Sequence, residues 1–115
     1  MHGTRASVAE LVRGLVSGLG GNDAIEVLVC PPFVYLEQVA SLVADYPVAL
    51  GAQNLGAEPT GAYTGEVSAD MLRDVGCTYV NVGHSERRTV LRESDAVIAR
   101  KFCMAQEQQL VPVFC

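Results

Sequence analysis

Residues Tyr79–Val90, with the sequence YVNVGHSERRTV, contain the pattern that decides the fold class. The short apolar run Tyr79–Val82 predicts a buried strand. Gly83 interrupts that strand, and Ser85–Val90 can start a short helix directly after it. Alternation of strands with helices is typical of α/β folds with a parallel sheet.

The same alternation extends from this stretch in both directions along the chain. Ser7–Glu10 has the S-x-x-E form of a capping box and predicts a first helix that ends at Gly20-Gly21. The order αβαβαβαβ predicts parallel strands, either in an open doubly wound sheet or in part of a β/α barrel. Further strands are predicted at Ile25–Cys30, Val48–Ala52 and Leu110–Cys115, and further helices around Leu36–Val43, Met71–Val75 and Asp95–Glu107.

Composition limits the possible functions of the chain. The 115 residues are 50% hydrophobic, which is typical of one globular domain. A net charge of −5 and a single lysine, Lys101, leave no basic stripe for nucleic acid, and Arg87, Arg88 and Arg92 indicate a solvated or ion-paired helix face. No apolar run approaches the roughly 20 residues that span a bilayer, and the amino terminus lacks a signal sequence, so we expect a cytoplasmic location without membrane contact.

The four cysteines are Cys30, Cys77, Cys103 and Cys115. They form no C-x-x-C pair, so neither a zinc site nor a redox motif is indicated. Three of them lie in or beside apolar strand-like runs, where a small thiol packs as a hydrophobic residue. We therefore expect buried, free thiols.

Loops offer two places where chemistry could occur. Gln53–Val67 contains glycines and a proline without helical or strand periodicity, and a loop of this length is expected to have a function. Gly18–Gly21 follows a helix and not a strand, and Gly56–Gly61 is followed by alanine where a P-loop requires lysine. Both glycine groups therefore indicate turns and not phosphate-binding loops.

His84 is the strongest candidate for a functional residue. It follows the strand Tyr79–Val82, and active sites of β/α folds lie at the carboxyl ends of strands. A helix N-terminus beside the imidazole disfavours its protonation, which would let the neutral ring donate a hydrogen bond to a carbonyl. The alternative is a histidine that merely caps the turn. His2, near the chain terminus, is expected to be a disordered terminal histidine.

The segment Val80–Arg88, VNVGHSERR, resembles the active-site segment of the triosephosphate isomerase family. This resemblance extends over Thr4–Cys115 and implies the (β/α)₈ barrel, of which residues 1–115 would form about half. The family's first strand and everything after its fifth strand would be missing. Three further segments agree in order and spacing: Cys30–Phe33 (CPPF), Gly51–Asn54 (GAQN) and Gly61–Glu66 (GAYTGE).

The resemblance also implies an activity. The family interconverts dihydroxyacetone phosphate and glyceraldehyde 3-phosphate through an enediolate, in glycolysis and gluconeogenesis, with no cofactor or metal. His84 would be the electrophile, whose neutral state is a known property of this family, and Ser85 and Glu86 would support it. Lys101, expected on the outer helix layer, cannot replace the family's substrate-binding lysine. Without that lysine and the glutamate base, we expect the isolated chain to be inactive.

The resemblance further implies a homodimer, in which the loop over residues 53–67 docks into the partner subunit. Its interface residues here would be Asn54, Tyr63, Thr64, Gly65 and Glu66. Arg87 and Glu93 would form a buried ion pair, the alternative being an exposed pair of no consequence. A different class of function stays open: an assembly module that pairs its sheet edges with a second copy or with the missing half.

Overall fold

The structure, a computed structural model, describes residues 2–19 and 25–115, in which helices and strands alternate. Among these residues no helix is both long and apolar enough to cross a membrane. The strands are β1 (Val27–Val29), β2 (Val48–Ala52), β3 (Tyr79–Val82) and β4 (Val111–Phe114). The helices are α1 (Arg5–Gly18), α2 (Leu36–Val43), α3 (Ala69–Asp74), α4 (Ser85–Thr89) and α5 (Asp95–Glu107), and a 3₁₀ turn, Phe33–Tyr35, leads into α2.

The strands form one parallel sheet in the order β1-β2-β3-β4. Val27 pairs with Val48, Gly51 with Tyr79, and Tyr79 in turn with Val111. Each strand thus lies beside its sequence neighbour, which confirms the predicted α/β architecture with parallel strands. The described sheet is open, as expected for part of a (β/α)₈ barrel, and its outer strands β1 and β4 each have one neighbour.

The core lies between one face of the sheet and the helices. Alternate residues of the central strands point to this face, because side chains alternate along a strand. Helices cover them with apolar residues at helical spacing. The buried side chains of this layer include Val48, Leu50, Ala52, Val80 and Val82 from the strands and Val39, Val43, Leu72, Ile98 and Ala105 from the helices.

Helix α1 begins earlier than the capping box predicted from Ser7 and Glu10. Thr4 is the N-cap, and its side chain accepts the amide N–H of Ser7 at 3.2 Å. The Ser7 hydroxyl in turn accepts the amide N–H of Thr4 at 2.9 Å, so the reciprocal box is Thr4-x-x-Ser7. The prediction failed because two hydroxyl residues three positions apart can each cap a helix. The predicted end at Gly20-Gly21 lies outside the described residues.

Strand β1 is shorter and less buried than the predicted strand Ile25–Cys30. Only Val27–Val29 pairs, all three residues are half-buried, and Ile25 is exposed. The almost continuous apolar run Ile25–Cys30 is typical of a strand that is buried on both faces of a parallel sheet. That prediction is wrong for β1, because a strand with a single neighbour leaves its outer edge uncovered.

Pro112 occupies the second position of β4 without removing a bond to β3. Val111 and Cys115 donate their amide N–H groups to Thr78 and Val82 at 2.9 Å each. In a parallel pair the N–H groups facing one neighbour alternate along the strand, so position 112 faces the other side. The proline is tolerated for this reason.

All four cysteines are free, but only Cys77 is buried. Burial, and secondarily the charge of Cys30, raises the pKa of Cys77 to about 11. Cys30 is half-buried, whereas Cys103 and Cys115 are exposed. The prediction of buried thiols is wrong for the last two because Cys103 lies on the outer face of α5 and Cys115 follows the uncovered strand β4.

Candidate functional site

His84 lies at the carboxyl end of β3, where it is the N-cap of α4. Its Nδ1 accepts the amide N–H of Glu86 at 3.3 Å. A ring nitrogen that accepts a hydrogen bond carries no proton, so this contact leaves the ring proton on Nε2. The side chain is 47% exposed, so a ligand can reach the Nε2 donor.

Gly83 turns the chain sharply between β3 and His84. Its φ is +79°, a left-handed value that side chains rarely adopt. A Cβ built at this position would lie 2.7 Å from Nη2 of Arg88 and 3.2 Å from the carbonyl oxygen of Cys115. Both the backbone conformation and the space therefore require glycine before His84.

Ser85 and Glu86 form the first turn of α4, and both are exposed. The Glu86 carboxylate lies 3.7 Å from Nδ1 of His84, and its side chain is 82% exposed. The Ser85 carbonyl oxygen accepts the hydroxyl of Thr89 at 2.8 Å, which closes the short helix. The three predicted catalytic residues are thus consecutive on one exposed turn.

Arg87 and Glu93 meet on the other side of α4. Nε and Nη2 of Arg87 donate to Oε1 of Glu93 at 2.9 and 2.7 Å. The Glu93 side chain is only 10% exposed. Burial alone would raise the pKa of Glu93, but hydrogen bonds and charge from Arg87 and Lys101 outweigh it, so the pKa lies below its usual value.

Lys101 is a third member of this charged cluster, and sequence analysis missed it. Its Nζ donates to Oε1 of Glu93 at 2.5 Å and to Oδ1 of Asn54 at 2.8 Å. It is 4% exposed, so its expected place on the outer helix layer does not make it a surface residue. Helical spacing could have predicted this burial, because Lys101 lies three residues after Ile98 and four before Ala105, on the buried face of α5.

The loop over residues 53–67 contains one buried polar residue and an exposed tip. Asn54 is buried beside Lys101, and Gly56 N–H donates to the Val67 carbonyl at 2.8 Å to close the base of the loop. The remaining residues predicted for the dimer interface are all exposed: Tyr63, Thr64, Gly65 and Glu66. The structure therefore separates Asn54 from the other four.

A cavity of about 380 Å³ lies between this loop and α5. Glu93 and Lys101 line it together with Tyr63 and Glu66, but His84 does not. Oε2 of Glu93 is buried and has no hydrogen-bond partner in the described part of the chain. Within the same residues, no group of three or more His, Cys, Asp or Glu side chains is arranged to hold a metal ion.

Known proteins are similar to this sequence over its whole length. The family model described as Triosephosphate isomerase matches residues 1–115. The chain belongs to the triosephosphate isomerase family. The triosephosphate isomerase of Erwinia tasmaniensis is 49% identical over 115 residues, which cover 100% of this chain and 45% of that protein. Those of Roseiflexus sp. and Chloroflexus aurantiacus are 50% and 52% identical, with 100% of this chain covered and 45% and 46% of theirs.

The chain therefore spans less than half the length of these members of the triosephosphate isomerase family. Family membership agrees with the parallel αβ order and with the resemblance of Val80–Arg88. The residues predicted from that resemblance fall into three places in the structure: the exposed turn with His84, the buried cluster around Glu93, and the tip of the loop.

Proposed function

We propose that the chain forms part of the active site of a triosephosphate isomerase, with His84 as the electrophile. The observation that carries this proposal is the hydrogen bond from the Glu86 amide to Nδ1 of His84. It leaves Nε2 as a donor at the carboxyl end of a parallel strand, the end at which β/α barrels bind their substrates.

In the proposed reaction, Nε2–H of His84 donates to the carbonyl oxygen of dihydroxyacetone phosphate. This bond becomes stronger as negative charge develops on that oxygen in the enediolate, and such differential stabilisation lowers the barrier. His84 then transfers protons between the two enediolate oxygens. Ser85 and Glu86 have supporting roles, and no cofactor or metal takes part.

The glutamate base and the substrate-binding lysine would come from other parts of the barrel. In this proposal residues 1–115 are a partial barrel domain, equivalent to the family without its first strand and without everything after its fifth strand. Abstraction of a proton next to a carbonyl requires a positioned base, and general acid–base terms contribute roughly 10²–10⁴-fold each. We therefore expect no measurable isomerisation by the chain alone.

The setting proposed for this activity is glycolysis and gluconeogenesis in the cytoplasm, in a homodimer. The loop over residues 53–67 would dock into the partner subunit through Tyr63, Thr64, Gly65 and Glu66. Their exposure supports this role, whereas Asn54 would act from the buried base of the loop.

A chimera tests the proposed function. Residues 1–115 would replace the matched segment of the Chloroflexus aurantiacus triosephosphate isomerase, to which they are 52% identical. We expect the chimera to isomerise glyceraldehyde 3-phosphate, and His84→Gln to lower kcat by roughly 10²–10⁴-fold. His2→Gln, at the other histidine of the chain, is the matched control and should leave kcat unchanged. Full activity of a folded His84→Gln chimera would refute the role of His84.

A further inference from the structure

Arg88 contacts the backbone on both sides of His84. Its amide N–H donates to the His84 carbonyl oxygen at 3.2 Å. Its side-chain Nε donates to the Gly83 carbonyl oxygen at 2.6 Å. These two carbonyl groups belong to the two peptide units that flank the Cα atom of His84, and their orientation sets the direction of its Cα–Cβ bond.

The backbone of Gly83 by itself does little to fix the peptide unit between Gly83 and His84. Glycine has no Cβ to restrict its backbone, and Gly83 adopts a φ of +79°. Rotation of this peptide would move the imidazole and weaken the hydrogen bond between Nδ1 and the Glu86 amide, already 3.3 Å long. The orientation of His84 therefore depends on what holds the Gly83 carbonyl.

The guanidinium group of Arg88 is itself fixed by other elements. Nη2 donates to the carbonyl oxygen of Cys115, after β4, at 3.0 Å. The guanidinium carbon lies 5.7 Å from the ring centre of Phe114, within the range of a cation–π contact. Nη1 also pairs with Asp95 at 2.8 Å, but Asp95 is 96% exposed. Arg88 thus links the turn after β3 to the end of β4.

We propose that Arg88 is a positioning residue for His84: it holds the Gly83–His84 peptide against the end of β4 and so fixes the imidazole. The planar fork of arginine can donate to two carbonyl groups at once, which a single ammonium group does with poorer geometry. The catalytic meaning of this role rests on the proposed function of His84, whereas the geometric role does not.

Nuclear magnetic resonance of the His84 nitrogens in the whole chain tests the proposal. In the unaltered chain we expect two widely separated ¹⁵N signals, from an unprotonated Nδ1 and a protonated Nε2, assigned by their loss in His84→Gln. Arg88→Met keeps the aliphatic stem and the backbone N–H but removes every side-chain donor. We expect its two signals to move toward each other, because a released imidazole exchanges between tautomers.

Asp95→Asn is the matched control. It removes the exposed ion pair of Arg88 but leaves the donors to Gly83 and Cys115, so the His84 signals should stay as in the unaltered chain. A purely structural Arg88 would lower the melting temperature without moving these signals. Unchanged signals in folded Arg88→Met, or equal changes in Asp95→Asn, would overturn the proposal.

Two further measurements apply if Arg88→Met does not fold. Arg88→Lys keeps the charge and one donor group, and we expect an intermediate convergence of the His84 signals. In the unaltered chain, the Nε–H of Arg88 should exchange with solvent about tenfold more slowly than that of the exposed Arg73, as expected for one stable hydrogen bond. Equal exchange rates would overturn the proposal. Neither measurement depends on isomerase activity. The positioning role of Arg88 can therefore be refuted independently of the proposed isomerase function, which the chimera tests.

Discussion

A buried charge is stable only with partners, and Lys101 has two, Glu93 and Asn54. Removing a charge from water costs several kcal/mol. The attraction between the buried charge and its partners stabilises the fold by about the same amount and so offsets this cost. Arg87 adds a second positive charge to the same carboxylate. Four parts of the chain, the loop after β2, helix α4, the segment after α4 and helix α5, therefore meet in one cluster. In it Arg87 and Lys101 donate to Oε1 of Glu93, and Lys101 also donates to Asn54.

Glu93→Gln should lower the free energy of unfolding by about 3–5 kcal/mol at pH 7, because it leaves two positive charges without a negative partner. The folded-state pKa of Glu93 lies below the usual value of 4.5. The stability that its charge contributes is thus present above pH 4.5 and is lost as the pH falls through the folded-state pKa. Urea denaturation at several pH values measures the difference between the two proteins.

The control for this prediction is Asp95→Asn, at the exposed partner of Arg88. Exposed ion pairs contribute about 0–1 kcal/mol, so its effect should be small. Equal losses in Glu93→Gln and Asp95→Asn would contradict the assignment of the stability to the buried cluster.

At the scale of elements, local signals predicted some boundaries well and others poorly. Strands β2 and β3 match their apolar runs, and α3 begins after Ser68, a residue type that is favoured at helix N-caps. Each of these segments has a single sequence pattern, an apolar run or one capping residue, that allows only one placement of the element. Helix α1 was misplaced because Thr4 and Ser7 compete as caps, and β1 because hydrophobicity does not reveal how many neighbours a strand has.

Gly51, the fourth of the five residues of β2, lies between the side chains of Cys30, just after β1, and of Tyr79 in β3. A Cβ at this position would lie 2.8 Å from Sγ of Cys30 and 3.2 Å from Cβ of Tyr79. Gly51→Ala should therefore lower the free energy of unfolding by about 1–3 kcal/mol, the usual cost of overpacking. Thermal and urea denaturation followed by circular dichroism measure this loss.

Gly14→Ala offers a control of opposite sign. Gly14 lies inside α1, and nothing lies within 4 Å of a Cβ at this position. Alanine should stabilise this helix by about 0.5–1 kcal/mol, because glycine loses more backbone entropy on folding. A neutral or stabilising Gly51→Ala would show that the sheet relaxes around the added methyl group.

At the scale of the whole molecule, the sequence predicted the position of the candidate site well, but it did not predict the buried contacts near that site. The strand, the glycine and the helix around His84 are contiguous, so local pattern was sufficient to place the residue at a strand end. The contact between Lys101 and Asn54 joins residues 47 positions apart. Helical periodicity can indicate that Lys101 faces inward, but it cannot identify the partner there.

The burial of the single lysine gives this chain a built-in chemical reporter of unfolding. Amine-directed acylating reagents need access to the lone pair of Nζ, and Lys101 is 4% exposed and bound on two sides. Its acylation, followed by mass spectrometry, should be at least ~10³-fold slower in buffer than in concentrated urea, the ratio expected when only the unfolded state reacts. Rapid acylation in buffer would mean that the helix carrying Lys101 opens without global unfolding.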